Sequence, residues 1–110
     1  MEECVFCKIV NKEEPTERII FEDQDFLVFP SKFPSAETHL LLIPKKHILS
    51  MAHVSEEETD ILGRLLVLSR KIAELESIKD YKLVFNIGKY LHEPHLHLHL
   101  VAGNLENDRV

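Results

Sequence analysis

The sequence predicts a single α+β domain spanning residues 1–110, with a mainly antiparallel five-stranded sheet, one long helix and one short helix. Two observations support this fold class. Five short segments are β-type runs, several with alternating faces, and only residues 56–76 repeat apolar residues at helical spacing over a long stretch. The β-type segments follow one another in hairpin-like pairs around that helix, which is typical of an antiparallel α+β sheet. A chain of 110 residues is also the usual size of one domain.

Composition excludes several classes of protein. Nineteen acidic residues against thirteen basic ones leave a formal charge of −6, which disfavours nucleic-acid and anionic-membrane partners. The N-terminus is acidic, and no run approaches the roughly 20 apolar residues of a membrane span. Two cysteines are too few for a disulfide framework. We therefore expect a soluble cytoplasmic protein that binds neither nucleic acid nor membrane.

The first third of the chain predicts a short helix and a hairpin. Apolar residues recur at helical spacing over residues 3–12, and Pro15 follows, so the helix should end before it. Residues 18–22 and 26–29 are short β-type runs. The polar stretch Glu22-Asp23-Gln24-Asp25 separates them and favours a turn, which predicts an antiparallel pair.

A third strand and the main helix come next. Residues 38–43 alternate, which places His39 on one face with two of the apolar side chains, and Pro44 closes the strand. Ser55 and Glu58 form the signature of a capping box, in which each side chain satisfies a backbone N–H at the start of a helix. The helix is predicted over residues 56–76.

The last two predicted strands are residues 82–87 and 95–101. In the second, histidines alternate with leucines without a break, which places His95, His97 and His99 on one face and the leucines in the core behind them. From the residues alone, this row is open to three interpretations: an exposed polar face, a zinc site, or covalent catalysis on phosphorus by a neutral imidazole with its neighbours stabilising the phosphate.

Wider sequence features resemble one known family. The run His95–Val101, followed by Gly103, resembles the motif of alternating histidine and apolar residues that names the histidine triad (HIT) family. Other stretches resemble that family in the same order: Phe6–Val10, Glu14-Pro15, Ile20–Asp23, Thr38–Ile48 and Asn86. The resemblance covers nearly the whole chain and is greatest to the branch of histidine triad nucleotide-binding proteins. It implies a HIT-like fold.

The resemblance also implies an activity. The protein would hydrolyse purine nucleoside 5′-phosphoramidates at the α-phosphate through a covalent nucleotidyl-histidine. His97 would be the nucleophile, and His99 would contact the phosphate and assist the leaving group. His95 matches the first histidine of the triad, and His39 the accessory histidine that tunes the nucleophile. A dinucleoside polyphosphate hydrolase and a non-catalytic nucleotide-binding or zinc-stabilised interaction module stay open as alternatives.

Further positions match the nucleotide site of the family. Phe6, Ile9 and Phe29 would enclose the base, although plain core packing is an equal alternative for them. Asn86 would contact the sugar or phosphate, with a turn-capping role as its alternative. Two departures stand out. Ser31 replaces the acid that grips the ribose, and the short loop 87–94 offers His92 where a serine donor is expected.

The pair Cys4-x-x-Cys7 is by itself open to redox, structural or metal-free interpretations. The resemblance implies a structural zinc bound by Cys4, Cys7, His47 and His95, with His92 as the competing fourth ligand. It implies no catalytic metal and no organic cofactor. It further implies a purine nucleotide substrate, such as an AMP derivative, and a homodimer.

Overall fold

The computed structural model describes residues 4–105 and 108–110, so residue 3, where the first helix is predicted to begin, lies outside the described part. The helices and strands in chain order are α1 (Val5–Val10), β1 (Phe21–Glu22), β2 (Phe26–Pro30), β3 (Thr38–Pro44), α2 (Thr59–Leu75), β4 (Lys82–Val84) and β5 (Leu98–Ala102). Single 3₁₀ turns occupy Met51–His53, Glu56–Glu58 and Gly88–Tyr90.

One sheet contains all five strands in the order β1-β2-β3-β5-β4, and every neighbouring pair is antiparallel. The predicted α+β class and five-stranded sheet are therefore confirmed. In the pairing of β3 with β5, Leu41 lies opposite His99, which makes His39 a diagonal neighbour of His99 on the same face. Val84 of β4 lies opposite His99 from the other side. His99 of β5 therefore lies between β3 and β4.

The two faces of the sheet have separate cores. The alternation of β3 sends Leu40 and Leu42 to the face covered by α2, and Leu41 and Ile43 to the face covered by α1. On the α2 side, Leu98 and Leu100 of β5 are almost fully buried, as the sequence predicts. Each such side chain contributes roughly 1.5–3 kcal/mol through burial. The α1 side packs Phe6 and Ile9 against the sheet.

Several element boundaries differ from the prediction. Helix α1 ends at Val10 rather than at residue 12, because Lys12 adopts a φ of 64° and turns the chain. Strand β1 contains only Phe21–Glu22. The predicted helix 56–76 begins as a 3₁₀ turn, and its α-helical part is Thr59–Leu75.

The ends of β4 and β5 also differ from the prediction. We predicted strands over 82–87 and 95–101, but β4 ends at Val84 and β5 begins only at Leu98. Just before β5, the amide of Leu96 donates to the carbonyl of Ile48, a residue outside the sheet, at 2.6 Å. This hydrogen bond leads the chain away from the ladder just where His95 turns toward the two cysteines.

The capping box at the start of the main helix is confirmed. Ser55 Oγ accepts from the amide of Glu57 at 3.3 Å, and the Glu58 carboxylate accepts from the amide of Ser55 at 2.6 Å. No helix in residues 4–105 and 108–110 is long and apolar enough to cross a membrane.

Replacing Ser55 by alanine is expected to lower the free energy of unfolding by about 1 kcal/mol, because one helix amide loses its acceptor. Urea unfolding followed by circular dichroism measures this change. Ser55→Thr, which keeps the hydroxyl, is the matched control and should retain most of the stability. Equal losses in the two variants would show that the hydroxyl does not act as a cap.

Candidate active site and metal centre

An open cavity of about 1230 Å³ lies on the α1 face of the sheet, beside the ends of β3, β4 and β5. It collects every residue that the sequence assigns to nucleotide binding, together with the accessory histidine: Phe6, Ile9, Phe29, Ser31, His39, Asn86, His92, His97 and His99. These side chains come from segments as far apart as α1 and β5. The cavity is therefore a product of the sheet order and not of any one stretch of sequence.

His97 is held in one tautomer. Its Nδ1 lies 2.7 Å from the backbone carbonyl oxygen of His95, which can only accept, so Nδ1 carries the proton and Nε2 keeps its lone pair. The ring of Phe6 meets His97 edge-on, with 5.1 Å between ring centroids. Only 5% of His97 is exposed, and burial lowers its pKa below the ordinary value. His97 therefore presents an unprotonated nitrogen.

His39 and His99 form a directed chain of hydrogen bonds. The amide of Ser35 donates to Nδ1 of His39 at 3.0 Å, which leaves the proton of neutral His39 on Nε2. That nitrogen is 2.8 Å from Nδ1 of His99 and donates to it. Neutral His99 therefore carries its own proton on Nε2. Nδ2 of Asn86 lies 3.2 Å from that nitrogen and is also a donor, so the two N–H groups do not bond to each other but can both donate to an acceptor that binds beside them. The ring centroids of His97 and His99 are 4.7 Å apart, so the two imidazoles are in contact.

Burial, together with smaller contributions from the neighbouring His97 and His39, lowers the pKa of His99 from 6.5 to about 4. The unfolded chain takes up a proton at this residue between pH 6.5 and 4, and the folded chain does not. Stability contributed by neutral His99 is thus complete above pH 6.5 and is lost as the pH falls toward 4.

We expect His99→Gln to reduce the loss of unfolding free energy between pH 7 and pH 4.5. The measurement is urea unfolding at both pH values in the presence of a chelator, so that loss of metal in acid does not contribute. His53→Gln is the matched control, because His53 is exposed and lies outside the cavity. An unchanged pH dependence in His99→Gln would contradict the burial argument.

The residues predicted to enclose a base form the apolar end of the cavity. Phe6 and Phe29 meet edge-on with 5.5 Å between centroids, and Ile9 packs in the same core cluster. These three side chains belong both to the core and to the cavity wall, so the two interpretations of them are compatible. Ser31 donates its amide to the His39 carbonyl at 2.9 Å and accepts at Oγ from the amide of Phe33. It therefore holds the loop that carries the exposed Phe33 at the rim.

His92 lies exposed in the cavity wall, close enough for a charge on it to affect both His97 and His99. Its neighbour Glu93 accepts from the amide of Val5 at 3.2 Å, which ties this loop to the start of α1. At the other end, Leu91 donates its amide to the Gly88 carbonyl at 3.0 Å. Hydrogen bonds thus restrain the loop on both sides of His92, which keeps His92 in the cavity wall.

A second cluster lies at the N-terminal end of α1. The donor atoms of Cys4, Cys7, His47 and His95 all lie within 4.8 Å of one another. A zinc ion bound tetrahedrally at about 2.0–2.3 Å requires neighbouring donors about 3.3–3.8 Å apart. Nδ1 of His95 is 3.4 Å from Cys4 Sγ and 3.3 Å from Nδ1 of His47. Nδ1 of His47 is in turn 3.2 Å from Cys7 Sγ. The arrangement could therefore hold a metal ion.

The orientation of His95 supports this interpretation. Its Nε2 is 2.8 Å from the Pro44 carbonyl oxygen and donates to it, so Nδ1 faces the cysteines with a free lone pair. In the metal-free protein, partial burial and the Cys4 thiol raise the pKa of Cys7 to about 11. A metal ion would have to displace that thiol proton, so its affinity would fall in acid. A bound ion would tie α1 to the end of β3 through four protein ligands.

His95 connects the two sites. Its ring is fully buried in the cysteine cluster, whereas its backbone oxygen holds His97. The sequence left His92 and His95 as competing fourth ligands, and the structure places His95 in the cluster and His92 in the cavity wall. The individual catalytic and binding roles stay predictions. Sequence reasoning missed Ser35 and Pro44, because both act through backbone groups that no residue pattern marks.

Fold and site together define a small α+β protein in which alternating histidines at the end of a central strand lie between an open cavity and a Cys₂His₂ cluster. A family model described as "Scavenger mRNA decapping enzyme C-term binding" matches residues 3–109. The chain belongs to the histidine triad (HIT) family.

Relatives and solved structures support the same family. The chain is 38% identical over 105 residues to protein HitA of Neisseria gonorrhoeae, covering 93% of this chain and 97% of that one. It is 33% identical over 102 residues to adenosine 5′-monophosphoramidase HINT3 of Danio rerio, covering 90% of this chain but only 64% of the relative. A HIT family hydrolase from Legionella pneumophila superimposes with a TM-score of 0.90 at 37% identity, covering 97% and 98% of the two chains. A histidine triad protein from Clostridium difficile gives a TM-score of 0.90 at 33% identity, with both chains covered completely. These relatives support an enzyme of the hydrolase class.

Proposed function

We propose that this protein hydrolyses purine nucleoside 5′-phosphoramidates at the α-phosphorus, with a covalent nucleotidyl intermediate on His97. The observation that carries the proposal is the hydrogen bond from Nδ1 of His97 to the His95 carbonyl oxygen. It leaves the lone pair on Nε2 of a side chain that lines the cavity. An unprotonated imidazole nitrogen held in this way is suited to attack phosphorus.

The remaining cavity residues supply binding sites of the right chemistry. Phe6, Ile9 and Phe29 form an apolar slot for the base. Ser31 offers a hydroxyl near the sugar, and the Nε2–H of His99 with the Asn86 amide offers hydrogen bonds to the phosphate oxygens. His39 acts through His99 by fixing its tautomer. His92 completes the wall on the open side.

The reaction has two steps. In the first, Nε2 of His97 forms a bond to phosphorus while the bond from phosphorus to the leaving nitrogen breaks, and that nitrogen takes up one proton to leave as an amine. In the second, water attacks the same phosphorus, the histidine–phosphorus bond breaks, and the nucleoside monophosphate leaves. The net reaction consumes one water and returns His97 unchanged.

The relatives favour this substrate class. HINT3 of Danio rerio bears the name adenosine 5′-monophosphoramidase, and this chain aligns with it over 102 residues. The Legionella pneumophila protein is a HIT family hydrolase. We carry the adenosine and phosphoramidate specificity over to this chain as part of the proposal.

The test compares two substrates: an alkylamine phosphoramidate of AMP and diadenosine tetraphosphate. Liquid chromatography should show AMP and free amine released from the phosphoramidate at a much higher kcat/KM. Faster release of AMP from the dinucleotide would support a dinucleoside polyphosphate hydrolase instead. If neither substrate turns over and AMP binds equally well to the wild type and His97→Ala, the protein is a non-catalytic nucleotide-binding module.

Two further features belong to the proposal. We propose that the metal bound by Cys4, Cys7, His47 and His95 is a structural zinc ion, because a Cys₂His₂ set without an open position is typical of structural zinc. We also propose that the protein is a homodimer, as the family resemblance implies. Light scattering on the purified protein at several concentrations distinguishes a dimer from a monomer.

A further inference from the structure

Departure of the amine requires a proton donor, and none of His95, His97 and His99 is suited to supply that proton. An alkylamine leaves phosphorus readily only when its nitrogen is protonated as the bond breaks. His97 keeps its proton on Nδ1, bonded to the His95 carbonyl oxygen and away from the substrate. The proton of His99 lies on Nε2, beside the donor Nδ2 of Asn86, and this pair of donors suits one phosphate oxygen. Of the two roles that the family resemblance implies for His99, the phosphate contact therefore fits this geometry, and assistance to the leaving group is left to another residue. Another group near the mouth must supply the proton to the amine.

His92 occupies the place where such a group is needed. The side chains of the apolar slot, Phe6, Ile9 and Phe29, are buried, whereas His92 is exposed, so we expect a nucleotide with its base in that slot to direct its leaving group toward the exposed part of the cavity wall. His92 is exposed on that side and within electrostatic range of both His97 and His99. The loop that carries it is held by the contact of Glu93 with the Val5 amide. Imidazole is also the side chain whose ordinary pKa best suits proton transfer near neutral pH.

The other charged side chains in the cavity wall are less suited. Glu14 and Glu17, which follow α1 in the chain, are carboxylates, and the Lys32 ammonium lies 5.8 Å from the centroid of the Phe33 ring. Glu93 accepts the amide of Val5. A carboxyl group, whose ordinary pKa is about 4, is almost fully deprotonated at neutral pH, whereas an imidazole, whose ordinary pKa is about 6.5, keeps a much larger protonated fraction.

We propose that His92 is the general acid that protonates the leaving amine, an inference that rests on the proposed function. As the phosphorus–nitrogen bond breaks, the proton of the His92 imidazolium moves to the nitrogen, and the bond electrons stay on the amine. His92, now neutral, takes a proton from the water that attacks phosphorus in the second step. This restores the imidazolium and completes the proton balance of the cycle.

The experiment varies the leaving group in the full-length, metal-loaded protein. One substrate is the alkylamine phosphoramidate of AMP, and the other is the nitrophenyl ester of AMP, whose nitrophenolate leaves without a proton. His92→Ala is expected to lower kcat/KM for the phosphoramidate by about 10²- to 10³-fold. For the nitrophenyl ester, the value should stay within about threefold of the wild type. Lys89→Ala, an exposed change in the same loop, is the matched control and should leave both values unchanged.

Each other outcome contradicts the inference in a distinguishable way. Equal losses with both substrates would assign His92 to phosphate binding, and no loss with either would show that it takes no part. If the wild type releases AMP from neither substrate, the proposed function itself fails, and the role of His92 fails with it. His92→Gln, which keeps a hydrogen-bond donor but cannot titrate, should behave like His92→Ala with the phosphoramidate.

Discussion

His97→Ala is expected to lower kcat/KM for release of AMP from an alkylamine phosphoramidate by about 10⁴-fold or more. Removing a covalent nucleophile deletes the reaction path itself and not only part of the binding energy. The apolar slot and the His99–Asn86 pair are untouched by the substitution, so AMP should still bind with a dissociation constant within about tenfold of the wild type. Steady-state kinetics and calorimetric titration measure the two quantities.

The matched control for this prediction is His53→Ala, a loss of imidazole outside the cavity that should leave kcat/KM unchanged. A covalent adduct provides a second measurement. Rapid quenching of the wild type during turnover, followed by peptide mass spectrometry, should locate one nucleotidyl group on His97. Turnover by His97→Ala at more than a few per cent of the wild-type rate would contradict the assignment of the nucleophile.

The second large effect concerns the cysteine cluster. Cys4→Ser is expected to lower the bound zinc from about one ion per chain to a small fraction, and to lower Tm by about 10 °C or more. The Sγ of Cys4 also accepts from the amide of Cys7 at 3.2 Å at the start of α1, and serine can keep that cap. The loss of stability therefore reports on the metal and not on the helix cap.

Chelator treatment is the control for the metal. The wild type stripped of metal should show nearly the same Tm as Cys4→Ser, and Cys4→Ser should not respond to the chelator. Elemental analysis gives the metal content, and calorimetry gives Tm. Because the backbone of His95 holds His97, stripped protein should also hydrolyse more slowly. The zinc site would be contradicted if the wild type purified without zinc and its Tm did not rise when zinc was added.

Local sequence signals predicted much of the scaffold correctly. The alternation in residues 38–43 placed Leu40 and Leu42 on one core face and Leu41 and Ile43 on the other, because a strand has a side-chain period of two. The Ser55–Glu58 capping box formed because both partners lie within one turn of chain. Such features depend only on neighbours in sequence, so a sequence contains what is needed to predict them.

Features that depend on distant segments were less predictable. The late start of β5 could not be predicted, because the segment before it bonds through the Leu96 amide to Ile48, forty-eight residues away in the chain. The tautomer of His99 likewise depends on the amide of Ser35, a backbone group that every residue except proline possesses.

The sequence by itself determined that the protein has one α+β fold, an alternating row of histidines and a Cys-x-x-Cys pair, and that it resembles the HIT family. Only the tertiary structure decided how the histidines are divided. A strand pattern places His95, His97 and His99 on one face, but it cannot say which partners each ring meets. The bend before Leu98 buries His95 between the cysteines, the pairing of β3 with β5 brings His39 to His99, and the loop after β4 leaves His92 at the cavity mouth.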